Sequence, residues 1–182
     1  TPRRRQRQMC IRDSSNPVIT NSIIQNNHAN NGAGVFLELC SPNFENVSIT
    51  DNNAISSGGG IYCGLTSGPV LNHVTISNNS ASSGGGILSI QNSQPMFSNS
   101  ILWGDAPEEI ISDPDSITII YSNIQGGWQG SGNINQDPLF CMIEDGDYTL
   151  AENSPCLESG ENGVNMGAFG IGCLTINFPP SE

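Results

Sequence analysis

One feature constrains this chain more than any other: it repeats. Three segments align, PVITNSIIQNNHANNGAGVF from Pro17, PNFENVSITDNNAISSGGGIY from Pro42 and PVLNHVTISNNSASSGGGIL from Pro69, and a fourth, PMFSNSILWGD, starts at Pro95. The prolines stand 25, 27 and 26 residues apart, and Gly34, Gly60 and Gly86 recur every 26. Apolar columns follow the same spacing. Ile24, Ile49, Ile76 and Leu102 form one; Ile19, Phe44, Leu71 and Phe97 another; Val35, Ile61 and Ile87 a third. A period in the middle twenties suits a solenoid whose coil holds about three short strands and three turns. Leucine-rich repeats of similar length need a leucine-dominated pattern that is absent, and propeller blades are longer.

Within each unit apolar and polar residues alternate, as in Val74-Thr75-Ile76-Ser77. That is the period of a strand, not of a helix. Composition agrees. The 182 residues include 21 glycines and only 12% charged side chains, a balance that favours pleated strands and tight turns. The Gly-Gly-Gly runs let the backbone turn where a Cβ would clash, and the prolines open strands. The expected fold is therefore all-β, a parallel β-helix of about 26 residues per coil.

Asn26, Asp51 and Asn78 fall in one column, with Asn27, Asn52 and Asn79 beside it. Stacked coils set like residues directly above one another, so these side chains are expected to hydrogen-bond up the stack as a ladder. Ala29, Ala54 and Ala81 form a small-residue column in the same turn.

Charge is segregated. All five basic residues are arginines at or before Arg12, and all 17 acidic residues follow them. Such a body repels nucleic acid, which is gripped through Lys and Arg, and disfavours anionic membranes. Residues 1–14 have no apolar period and carry the opposite charge, so they are expected to be non-native or disordered and to stand outside the fold. They lack a signal-peptide core, and the chain has no stretch apolar and long enough for a membrane-spanning helix.

The coils are expected over residues 15–136 and an irregular C-terminal cap and tail over 137–182. The repeats with N-x-A-x-x-G-G-G-I resemble right-handed parallel β-helix proteins of the pectate-lyase-like superfamily. The tail, with YSNIQGGW at 121–128, DPLF at 137–140, DYTL at 147–150, SPC at 154–156 and NMGAF at 165–169, resembles the terminal part of bacterial choice-of-anchor Q domain proteins. The resemblance spans about residues 17–173. It implies a right-handed solenoid and a secreted, surface-attached protein. A solenoid end exposes strand edges and an apolar cross-section, which Trp128, Leu139, Phe140, Tyr148, Leu150 and Phe169 are expected to cover.

Candidate chemistry is sparse. Lyases of the superfamily resembled typically take the sugar proton with Arg or Lys, and none follows Arg12. Hydrolysis would need two suitably placed carboxylates; Asp51 and Asp105 lie on the ladder and Asp113 and Asp115 beyond it, without the grouped pattern of a polygalacturonase. His28 lies in a turn and His73 in the column of Asn21, Asn46 and Asn99, with no Ser-His-Asp signature. No catalytic, cofactor-binding or metal residue is therefore assigned. Structural calcium is the one cofactor the acidic turns could take, at Glu144-Asp145-Gly146-Asp147 or among Glu108, Glu109, Asp113 and Asp115, though neither matches a known calcium loop. Beyond Cys10, five cysteines remain, with no zinc spacing. Cys40 and Cys63 lie in consecutive coils and could pair; one pair among Cys141, Cys156 and Cys173 could pin the cap. The expected role is a monomeric structural or adhesive module, extracellular or on the cell surface and outer-membrane-associated, contacting polysaccharide or another envelope component. The alternative is the C-terminal part of a polysaccharide-active enzyme whose catalytic coils lie upstream.

Overall fold

The computed structural model describes residues 16–177; the N-terminal segment 1–14 lies outside them. The chain winds into stacked coils. The first contains β1 (Val18–Gln25), β2 (His28–Asn31) and β3 (Val35–Glu38). The second repeats it with β4 (Asn43–Thr50), β5 (Asn53–Ser57) and β6 (Ile61–Gly64). The third keeps β7 (Val70–Ser77) and β8 (Ile87–Ser89), its middle strand reduced to bridges at Ser80 and Ser83. Then come β9 (Met96–Ser98), β10 (Ile101–Trp103) and β11 (Ile110–Ser112), followed by β12 (Thr118–Ile120) and β13 (Asn123–Ile124). A last partial turn bridges Ile134 to Asn123.

Every ladder between coils is parallel. One face runs β1-β4-β7-β10-β13, with β9 and β12 continuing it; a second runs β3-β6-β8-β11; a third is β2-β5. The register reproduces the repeat residue for residue. Ile24 pairs with Ile49, Ile49 with Ile76, Ile76 with Leu102 and Leu102 with Ile124. The column Ile19, Phe44, Leu71, Phe97 ends on Ile119, and Val35, Ile61, Ile87 ends on Ile110. These columns are the core: Ile49, Ile76, Leu71 and Leu102 are wholly buried. Each such side chain contributes roughly 1.5–3 kcal/mol through the apolar area it removes from water. The glycine column sits where adjacent coils touch. A Cβ on Gly60 would lie 2.6 Å from the Gly86 carbonyl oxygen, so no other residue fits without moving backbone.

The bends between strands are left-handed. Asn21, Asn46, His73, Asn99 and Tyr121 all have φ between 47° and 54°, so His73 does occupy the polar column of the repeat. Asn26, Asp51 and Asn78 share φ 56° at the next bend. Short polar side chains enter this region at least cost among non-glycine residues, which explains the recurrence of Asn.

The C-terminal segment departs from expectation. It forms a small sheet of β14 (Phe140–Met142), β15 (Asp147–Ala151) and β16 (Ile171–Cys173), with β14 antiparallel and β16 parallel to β15. Phe140, Tyr148, Leu150, Cys156 and Met166 bury themselves around Ile101 in a second core, which Trp103 and Phe169 flank. Ile101 lies on the outer side of β10, so this core sits against the flank of the stack and not over its end. The Tyr148 hydroxyl donates to both carboxylate oxygens of Asp51 at 3.0 Å, Ala168 N–H to Thr75 Oγ1 at 2.9 Å and Gly167 N–H to the Asn99 carbonyl at 2.8 Å. Of the expected cap residues, it is Trp128 that packs on the main core. Phe140, Tyr148, Leu150 and Phe169 found an apolar partner on the side, where Ser48, Thr50, Thr75 and Ser77 are also buried.

Cys40 and Cys63 do not pair with each other. In the register Cys63 lies beside Leu37, three residues away from Cys40 along the strand. Cys40 is disulfide-bonded, whereas Cys63 and Cys156 are free buried thiols. Burial pushes Cys63 up to about 12 and Cys156 up to about 11, which makes both poor nucleophiles. Cys141 and Cys173 form the C-terminal disulfide. It closes a loop of 32 residues, and replacing both by serine should lower the stability read by urea denaturation by about 3 kcal/mol.

Candidate functional site

Two places on the described surface gather polar side chains. The first is a shallow groove along the flank. Outward-facing Thr20 on β1, Glu45 on β4, Asn72 on β7 and Ser98 on β9 form one register column. Asn72 Nδ2 donates to both carboxylate oxygens of Glu45, at 3.1 and 3.0 Å. Its Oδ1 accepts from Ser98 Oγ at 2.9 Å and Asn99 Nδ2 at 3.0 Å. Asn99 Oδ1 in turn accepts the Glu161 N–H at 2.7 Å. His73 Nδ1 stands 3.5 Å from Glu45. Val18 and Val70, partly exposed, line the same groove, and Glu161 borders it from the C-terminal segment. The groove therefore offers amides, hydroxyls and a carboxylate in a row along the stack axis, with apolar patches between.

The second is a cavity at the lower end, lined by Asp105, Glu108, Glu109, Gln125 and Trp128. Here the asparagine ladder terminates. Asn52 Oδ1 accepts from Asn27 Nδ2 at 2.9 Å, Asn79 Oδ1 from Asn52 Nδ2 at 2.9 Å, and Asp105 Oδ1 from Asn79 Nδ2 at 2.8 Å. Each acceptor also takes the backbone N–H of the coil above. The expected ladder is thus real, and it is the inner column, with Asp105 as its last rung. Asp51 belongs to the outer column and accepts from Asn78 Nδ2. Asp105 N–H donates to Glu109 Oε1 at 2.9 Å, which folds the 104–109 excursion back onto the rung. Asp105 Oδ2 and Glu109 Oε2 are buried without a partner. Burial first, and then the Glu109 charge, holds the Asp105 carboxyl well above its ordinary range. Burial raises Glu109 as well.

The remaining candidates stand apart. His28 is exposed on β2. Asp113 accepts from the Asn92 N–H at 3.4 Å and is not gathered with Asp115, Glu108 and Glu109. Asp147 Oδ1 is occupied by Thr149 N–H at 3.0 Å and by its hydroxyl. Among the described residues no three His, Cys, Asp or Glu side chains converge as a metal would require. No Lys or Arg occurs among them. The groove residues Glu45, Asn72 and Ser98 were not singled out from sequence, although the repeat spacing places them in one column.

Residues 3–123 match the family model described as a right handed beta helix region. The chain belongs to this family. No curated protein and no solved structure matches it. In this β-helix both polar sites are built on coils: the groove by outward positions of successive strands, the cavity by the last rung of the ladder. None of the described residues crosses a membrane as a long apolar helix.

Proposed function

We propose that this β-helix is a structural or adhesive module of a secreted or cell-surface bacterial protein, outer-membrane-associated, that lays its flank groove along an extended neutral polysaccharide. The observation that carries the reading is the column Thr20, Glu45, Asn72, Ser98, whose hydrogen-bonding groups recur at the spacing of the coils. A polymer running along the axis meets one hydrogen-bonding side chain of this column at each coil, and Val18 and Val70 can underlie sugar faces. The acidic body argues against a uronate ligand through like-charge repulsion. The pectate-lyase-like and choice-of-anchor Q affinities of the repeats and tail agree with an exported, surface-held protein.

The module is read as non-catalytic. The groove contains no arginine or lysine base, and the Glu45 carboxylate is held by Asn72 at 3.1 and 3.0 Å. One observation favours a second reading, a polysaccharide hydrolase whose further catalytic coils lie upstream: Glu45 and Glu161 border the same groove. Affinity electrophoresis in gels cast with neutral polysaccharides separates the two. Retardation that Asn72→Ala weakens several-fold, without release of reducing ends, is the expected result. Reducing ends lost in Glu45→Gln would establish the hydrolase, and unchanged mobility in every gel would sink both.

A further inference from the structure

The ladder repeats a strict donor pattern, and its last rung breaks it. Asn52 Nδ2 donates to the Ile24 carbonyl at 3.0 Å, and Asn79 Nδ2 donates to the Ile49 carbonyl at 2.9 Å. In each case the acceptor lies on the coil above, at the residue paired with the one three positions before the rung. By the same rule, through the pairing of Leu102 with Ile76, the rung at 105 would donate to the Ile76 carbonyl. A carboxylate has no proton to donate. The glycine column confirms the equivalence: a Cβ on Gly86 would lie 2.8 Å from Asp105 Oδ2, whereas one on Gly60 would lie 3.2 Å from Asn79 Nδ2. Oδ2 thus stands in the place of an amide nitrogen.

The other neighbours make a negative charge there worse. Glu109 folds onto the rung from the excursion, and Glu108 lines the same cavity. Tyr148 of the C-terminal segment feels the Asp105 charge while binding Asp51. From above, Asn79 supplies donors to Oδ1 alone. No Lys or Arg lies among the described residues to compensate. Asp105 is 8% exposed, and its Oδ2, like Glu109 Oε2, is closed to solvent.

We propose that Asp105 and Glu109 hold one proton between them, and that losing it unlatches the 104–110 connection from the bottom of the ladder. The proton lets Oδ2 act as the missing donor, toward the Ile76 carbonyl or toward Glu109, and removes one of two adjacent buried charges. Both carboxyls are raised in the folded chain. A folded state that keeps a proton longer than the unfolded chain is favoured as pH falls. The stabilisation is complete below the unfolded carboxyl values of about 4 and is lost as pH climbs through the raised folded values.

Asparagine at 105 would complete the ladder without a proton, so Asp105→Asn should fold. Urea melts from pH 4 to 9 are expected to show it more stable than the parent at pH 8, with an unfolding constant lower by about tenfold. That advantage should vanish toward pH 4. Adding Glu109→Gln should bring little more, because either change alone dissolves the shared proton. A variant that is destabilised, or whose advantage is the same at every pH, would overturn the proposal. Infrared spectra of the unmodified chain give an independent reading: a protonated-carboxyl stretch at neutral pH, lost together with a change in Trp128 emission on alkalinisation. Its absence would count against the latch, as would calcium-dependent stabilisation that Asp105→Asn removes, since that would put a cation where the proton is placed.

Discussion

Asn79→Ala is expected to lower stability by about 4 kcal/mol, because it strands several buried polar groups at once. Asn79 is 1% exposed. Its Oδ1 accepts from both the backbone N–H and the Nδ2 of Asn52, and its Nδ2 serves the Ile49 carbonyl. Alanine takes the acceptor from the buried Asn52 N–H and the Asn79 donor from the Ile49 carbonyl, and leaves Asn52 Nδ2 with the Ile24 carbonyl alone, in a site that excludes water. Each orphaned group costs about 1–3 kcal/mol. Asn27, at the top of the same ladder, provides the control. Its side chain makes the single bond to Asn52 Oδ1, which keeps the Asn27 backbone N–H at 3.1 Å in any case. Asn27→Ala should therefore cost only about 1 kcal/mol. Urea midpoints at unchanged m-value would measure both. Equal effects would mean that the ladder is decoration on a stack held by its apolar columns alone.

Phe97→Ala is expected to cost a similar amount, about 4 kcal/mol, for a different reason. Phe97 is 1% exposed and lies between Leu71 and Ile119 in its column. Parallel ladders on both sides hold the backbone, so the coils cannot close over the space left behind, and the cavity persists. Phe97→Leu keeps most of the volume and should cost far less. Ile19, in the same column, is only partly buried; alanine there should cost about 2 kcal/mol or less, at the low end of such substitutions. A flat response along the column would contradict the idea that interior coils are the best packed.

Much of this molecule can be read from spacing. In a parallel stack, residues one period apart become neighbours, so the repeat is already a contact map. The columns through Ile49 and Phe44, the glycines at the coil contacts and the last rung at Asp105 all follow from it. Where the period ends, so does legibility. Phe140, Tyr148 and Leu150 read as a cover for the solenoid end, but without a repeat they carry no register, and the structure packs them around Ile101 instead. Alternation misled in one respect. Thr75 and Ser77 are the polar members of the alternation, yet both are buried, Thr75 against Ala168 of the C-terminal segment and Ser77 against the Trp103 carbonyl. The Asp105–Glu109 pair was hidden because it depends on how the excursion 104–109 doubles back. A pair among Cys141, Cys156 and Cys173 was legible, but spacing did not select Cys141 with Cys173.

The flank segment also changes what kind of object the stack is. A bare solenoid touches only nearest neighbours, so its coils can melt one after another from an end, like a zipper. Here one stretch of chain reaches from the last turn back to the second coil, tying Tyr148 to Asp51, residues 97 apart in sequence. Ala168 and Gly167 are held along the way by Thr75 and Asn99. That stretch behaves as a splint laid along a row of rings. Fraying of an inner coil must tear the splint as well, so coils that would have opened independently share one barrier, and a load along the axis is spread over several of them.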